Sequence, residues 1–259
     1  MGWVLIRPVT AYNLTVEMNA IRSLISYFPY ITIRAEYVDV VSALGRRKNL
    51  PPPANRYKLA KAMVDGLDVF QLGITLCDHN GRLPVTVAPD GSDAESAWQV
   101  AFSDFDPGGH MESPAGVPAA AFARALLEHG IVSAENRGRL TWVAFGGLYD
   151  FGFLLKLLSS GAPLPETGEG FARMLRRYLG NVYDAKYVAS RLPVAVGVDL
   201  SGGLVSVARL LGAPAVAVEE PRQAGEKSLV ACEVFMRMTG LFFAYHDVAV
   251  HLGMIDGVH

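Results

Sequence analysis

Six histidines, two cysteines and 25 acidic residues are the groups in this 259-residue chain with the chemistry to hold a metal or move a proton. His79, His110, His129, His246, His251 and His259 show no metal-ligand spacing, and each reads as a surface or core side chain. Cys77 and Cys232 stand far apart with no zinc-like spacing, which argues against a disulfide framework and fits a reducing, intracellular setting. Gly45-Arg46-Arg47-Lys48 is a basic run that RNA phosphates would suit, and a solvated loop is the simpler reading. Trp3, Tyr12 and Trp98 read as core or interface aromatics rather than base-stacking platforms. On residue type alone Glu36 and Asp150 are two acids among 25; Asp184, in Tyr-Asp-Ala-Lys-Tyr, has a catalytic reading and a structural one, and is expected to order local backbone and a helix.

The elements that would position such groups can be read from pattern. With 51% hydrophobic and 19% charged residues the chain can build a substantial core, and one domain over 1–259 is expected. A net charge of −2 gives no global footprint for nucleic acid, so RNA contact would need a local basic cleft. The opening Met-Gly-Trp-Val-Leu-Ile-Arg-Pro is too short for a signal peptide or membrane span. Ile6 stands where a myristoylation signal wants Ser or Thr.

Leu14, Met18, Ile21, Ile25 and Phe28 predict an amphipathic helix over 13–26. Tyr30–Val41 reads as a strand carrying Glu36. The segment 44–56, with three consecutive prolines, predicts a loop, followed by helical spacing from Tyr57 to Leu67. Leu67–Cys77 alternates, Asp78-His79-Asn80-Gly81 supplies a turn, an extended stretch follows, and Trp98, Val100 and Phe102 mark another strand. The strands carrying Glu36, Ile74 and Trp98 predict an antiparallel meander. Thereafter helix 121–128, strand 140–145, helices 151–158 and 171–178, a short strand or strand edge over 182–188, helix 204–211 and a long helix 227–243 imply crossovers and parallel pairing. The fold class is α/β: a mixed sheet flanked by helices on the ribonuclease-H-like plan.

Four segments in order carry a specific likeness: YFPYITIRAEYVDVV (27–41), LDVFQLGITLCDHNGRLP (67–84), LTWVAFGGLYDFGFLLKLL (140–158) and RQAGEKSLVACEVF (222–235), supported by NVYDAKYV and GGLVSVARLLG. Together they resemble the Caf/Pop-type poly(A)-specific ribonucleases, the DEDD-type deadenylase subunit of the Ccr-Not complex. The likeness covers most of the chain; the span from Asp104 to Ala120 looks shorter than the family's equivalent, which carries a further helix there.

The resemblance implies a ribonuclease-H-like (DEDD exonuclease) fold and, in the family, four carboxylates holding two Mg2+ or Mn2+ ions that activate water and stabilise the leaving oxygen. Residue by residue, the family's Asp-x-Glu is Arg34-Ala35-Glu36 here, its second-motif Asp is Asp150, and its last-motif Asp is Lys227. A His before Gln-Ala-Gly is Arg222, and His-Ser-Gly before the Tyr is Gly146-Gly147-Leu148. Two ligand positions are thus retained and two are cationic. Each Asp-to-cation change adds two charge units, so Arg34 and Lys227 together add the four that two divalent ions would contribute. Glu36 and Asp150 are then either ligands of one residual ion or, as expected here, acceptors in an ion-pair network with Arg34 and Lys227, with no resident cofactor.

Three functions follow from the resemblance: a catalytically impaired pseudonuclease or scaffold in mRNA decay, an active metal-dependent deadenylase, or an RNA-binding module using Arg34, Arg222 and Lys227. Ccr-Not subunits, poly(A) RNA, no membrane, and residence in nucleus and cytoplasm are the partners and location it implies.

Overall fold

The computed structural model describes residues 4–37, 53–104, 115–192, 199–214, 221–243 and 248–259, with side chains from Arg56 onward in the second segment. Val38–Val41, the 45–48 basic run, Trp3, His110 and His246 lie outside the described residues. Seven strands form one sheet: β1 Val4–Val9, β2 Tyr30–Tyr37, β3 Val69–Cys77, β4 Val85–Val87, β5 Asp93–Ala101, β6 Thr141–Ala144 and β7 Val182–Asp184. The order is β1-β5-β3-β2-β6-β7, with β4 on β5. β2, β3 and β5 pair antiparallel, as the meander requires, while β1 joins β5 and β6 joins β2 and β7 in parallel.

Eight α-helices are described: α1 Leu14–Leu24, α2 Pro53–Gly66, α3 Ala119–Glu128, α4 Gly147–Leu158, α5 Gly168–Tyr178, α6 Ala185–Ser190, α7 Leu204–Leu210 and α8 Ala224–Phe242. They cover both sheet faces. Alternation along β2 and β6 shows how: Ile31, Ile33, Ala35, Trp142 and Ala144 bury into one core with Met18, Phe122, Phe151, Leu154 and Phe171 from α1 and α3–α5. Val143 and Phe145 face the opposite core with Val188, Val207, Val230, Val234 and Phe235 from α6–α8. Residues 34 and 36 therefore belong to the α8 face. None of the described helices is long and apolar enough to cross a membrane.

Four expectations need correction. The 182–188 stretch is strand only over Val182–Asp184 and turns helical from Ala185. The 44–56 segment is not wholly loop, because α2 starts at Pro53; proline suits a helix's first turn, where its missing N–H is not needed. Helices α4, α5 and α8 start four, three and three residues earlier than their apolar periodicity suggested, at Gly147, Gly168 and Ala224. Tyr12 is not a core aromatic: it is 82% exposed, whereas Trp98 is fully buried with its indole N–H on Glu17 Oε2 at 2.9 Å.

The close seat of α8 on the sheet depends on two glycines, Gly225 on the helix, where a Cβ would run into Ile6, and Gly73 on the strand. Gly73 on β3 faces the helix, and a Cβ there would run into the Ala224 carbonyl. Two residues along, Thr75 Oγ1 meets Ser228 Oγ at 2.8 Å. Strand period two thus runs in step with helix spacing four, since two strand residues rise roughly 6.7 Å and four helical ones roughly 6 Å.

Candidate functional site

Arg34 pairs with Gly73 and Glu36 with Gln71 in the β2–β3 register. On its other side β2 is hydrogen-bonded to β6 only through Tyr30, Ile31 and Thr32, so its C-terminal half outruns the shorter strand. Asp150, at the start of α4, fills that gap. Its Oδ1 accepts the Ala35 N–H at 2.8 Å, and its Oδ2 meets Arg34 Nη1 at 3.3 Å. The same Nη1 donates to the Phe145 carbonyl at 3.1 Å. Glu36 lies between the two cations: Oε2 is 2.8 Å from Lys227 Nζ, and Oε1 is 3.8 Å from Arg34 Nε. The four residues converge at the C-terminal end of β2, a central strand of the sheet.

Asp150 is buried, while the side chains of Glu36, Lys227 and Arg34 are 18, 25 and 28% exposed. Burial pushes the Asp150 carboxyl up to about 6, with the Arg34 charge and the Ala35 N–H pulling against it. The Arg34 pKa is raised in turn, chiefly by the Asp150 charge. Arg34 Nε and Glu36 Oε1 are buried without a hydrogen bond and face each other beyond bonding distance, a Coulombic contact only. The formal charges of the four groups cancel.

Lys227 owes its position to how α8 begins. Gln71 Oε1 accepts from Ala224 N at 3.4 Å and Gln99 Oε1 from Gly225 N at 3.1 Å. Gln223 and Glu226 form a reciprocal capping box, and Lys227 N donates to the Gln223 carbonyl. All four leading amides are occupied, so this terminus has no open N–H for a phosphate. Arg222 is exposed just ahead of the cap, its own N–H held by Glu226 Oε2 at 2.7 Å.

Asp184 adds its charge to the rise in the Asp150 pKa, while its own hydrogen bonds go elsewhere. Its carboxylate gathers the N–H groups of Gly146, Gly147, Lys186 and Asp256 at 2.8–3.0 Å, capping α6 and tethering the left-handed Gly146 turn that opens α4. The structural reading of Asp184 therefore holds. The supporting groups that sequence reasoning missed are Gln71, Gln99 and the Phe145 carbonyl. Gly73 carried a usable signal, because a lone glycine inside a strand marks a close backbone approach.

Two divalent ions need several unpaired oxygens, and each carboxylate here already holds a cation at 2.8–3.3 Å. Among the described residues no group of three or more His, Cys, Asp or Glu could hold a metal ion. This donor set does not fit a two-ion centre.

No family model matches the chain. Individual relatives do. It is 32% identical over 281 residues to "Probable CCR4-associated factor 1 homolog 7" of Arabidopsis thaliana, covering 97% of this chain and 94% of that protein. It is 31% identical over 250 residues to "Poly(A) ribonuclease pop2" of Schizosaccharomyces pombe, covering 92% of this chain and 70% of that one. The Mg2+- and Mn2+-bound structure of S. pombe Pop2p superposes with a TM-score of 0.75 at 28% identity, covering 97% of this chain and 99% of the other. A structure of the yeast NOT1 MIF4G domain co-crystallized with CAF1 gives 0.76 at 25% identity, with 97 and 96% covered. The fold is that of the Pop2 RNase domains, and the chain belongs to the CCR4-associated factor 1/Pop2 family.

Proposed function

We propose that this protein is a non-catalytic member of its family: a pseudonuclease that keeps the deadenylase fold and acts as a scaffold in a Ccr-Not-type mRNA-decay assembly, in nucleus and cytoplasm. The observation that carries this is the placement of Lys227 and Arg34 directly on Glu36 and Asp150. A cation about 4 Å from an incoming ion, at an effective dielectric near 20, opposes each positive charge by about 4 kcal/mol. The retained carboxylates thus balance side chains rather than metal. An RNA-binding reading of the cleft gains less support, because two of its three cations, Arg34 and Lys227, already pair with Asp150 and Glu36. Association with a NOT1-type scaffold is supported by the likeness to the CAF1 that was co-crystallized with NOT1.

The test is an A-tailed oligoribonucleotide incubated with this protein or with S. pombe Pop2, in Mg2+ or Mn2+, alongside a pull-down by a NOT1 MIF4G domain. Without water activation and leaving-group stabilisation, each 1.36 kcal/mol of lost support slows cleavage about tenfold, so a deficit of at least about a thousandfold is expected. Capture by the MIF4G domain should persist. Turnover comparable to Pop2 and abolished by chelator would overturn the proposal.

A further inference from the structure

The two cysteines occupy the third step of the β3–α8 contact. Gly73 sits under Ala224, and Thr75 meets Ser228. Two residues further along the strand and four along the helix the sequence places Cys77 and Cys232. Both are free thiols, 0 and 2% exposed. The Cys232 thiol beside it, together with burial, pushes the Cys77 thiol far above its ordinary range. The pairing follows from matched periods across a fixed interface, so the thiols are neighbours by construction even though the sequence separates them widely.

We infer that Cys77 and Cys232 form a redox-sensitive latch, a dithiol that a peroxide converts to a disulfide bonding β3 to α8. One sulfur attacks a peroxide oxygen and breaks the O–O bond, giving a sulfenic acid and one water. The second thiol displaces the sulfenic oxygen as a second water, and the S–S bond forms. Two protein hydrogens and one peroxide are consumed and two waters leave.

Because both sulfurs are out of water, the reaction depends on excursions that lift α8 from the sheet. The latch therefore closes slowly in native protein and faster in sub-denaturing urea. Once closed it cross-links residues far apart in the chain and restricts the unfolded ensemble. It also fixes the helix whose first turn holds Lys227 over Glu36.

The chain has only these two cysteines, so the test reads cleanly. Full-length protein is treated with hydrogen peroxide, denatured, and its thiols counted with Ellman's reagent, with a non-reducing peptide map and a thermal scan alongside. The expected result is loss of both thiols in a monomer, a linked peptide pair containing Cys77 and Cys232, and a Tm several degrees higher that dithiothreitol reverses. Cys232→Ala should gain no stability from peroxide. Two titratable thiols after prolonged treatment, sulfinic or sulfonic acids in place of the link, or linkage only between molecules would each overturn the latch.

Discussion

Placing aspartate at both cationic positions, Arg34→Asp with Lys227→Asp, is expected to create a metal dependence that the natural protein is expected to lack. The natural ion pairs, at 3.3 Å to Asp150 and 2.8 Å to Glu36, are replaced by four carboxylates with no counter-charge. In Coulomb terms each lost pair amounts to about 4 kcal/mol at an effective dielectric near 20. The partial exposure of Glu36 and Lys227 reduces this, so we expect a net destabilisation of roughly 3–5 kcal/mol without metal. An ion that binds only the folded state then restores about 2.7 kcal/mol at a hundred times its dissociation constant. At about 2–4 °C per kcal/mol for a chain of this size, that is a Tm rise of about 5–10 °C. The assay is a thermal scan of both proteins in chelator and in millimolar Mg2+ or Mn2+. A clear metal-induced rise in the natural protein would show that Glu36 and Asp150 still hold an ion and would refute the replacement argument. A folded double variant indifferent to metal would refute the assignment of positions 34 and 227.

Other perturbations give separate expectations. Arg34→Met strands the buried Asp150 charge and should cost about 3 kcal/mol at pH 7 in urea unfolding, with the loss shrinking at low pH as Asp150 takes up a proton. Asp150 is held at about 6, above its ordinary 3.8. The folded state therefore binds a proton between those values that the unfolded chain has released, and this group's contribution to stability is present below pH 4 and lost as pH rises through 6. Asp150→Asn should remove that component, which amounts to about 3 kcal/mol, as read from urea midpoints across that window. Asp184→Asn turns an amide NH2 toward two of the four N–H groups its carboxylate gathers, and denaturation should show a loss of about 2–4 kcal/mol. Gly73→Ala drives a methyl into the Ala224 carbonyl and should destabilise by about 3 kcal/mol or more, with greater protease sensitivity around α8.

Local patterning revealed the β2-β3-β5 meander because each strand is close in sequence to its partner and alternates cleanly. It missed β1, whose Val-Leu-Ile-Arg-Pro-Val run is short and pairs with a strand some ninety positions away. Pro8 interrupts the pattern and is tolerated because β1 is an edge strand. The starts of α4 and α8 were hidden for a related reason. Gly146-Gly147 and Gln223-Ala224-Gly225 carry no apolar periodicity, and their acceptors, Asp184 and the side chains of Gln71 and Gln99, come from other parts of the fold. At the site, residue types alone singled out nothing, since Glu36 and Asp150 are ordinary acids in an ordinary composition. The family resemblance aligned Arg34 and Lys227 with carboxylate positions. That Asp150 would also take the Ala35 N–H depends on β6 ending early beside β2, which no linear pattern records.

The cancelling charges around Glu36 also shape which sequences lie within reach of this one. Changing residue 34 or 227 singly to aspartate gives three carboxylates facing one cation, a set with net charge −2. It has lost one ion pair while the remaining cation still repels a divalent ion. Each intermediate is poorer than both the present arrangement and a four-carboxylate centre filled with metal, so the two solutions are separated by a valley in sequence space. A chain that has settled on the cationic side is held there by the mutual dependence of two positions on different elements, whichever of them mutates first.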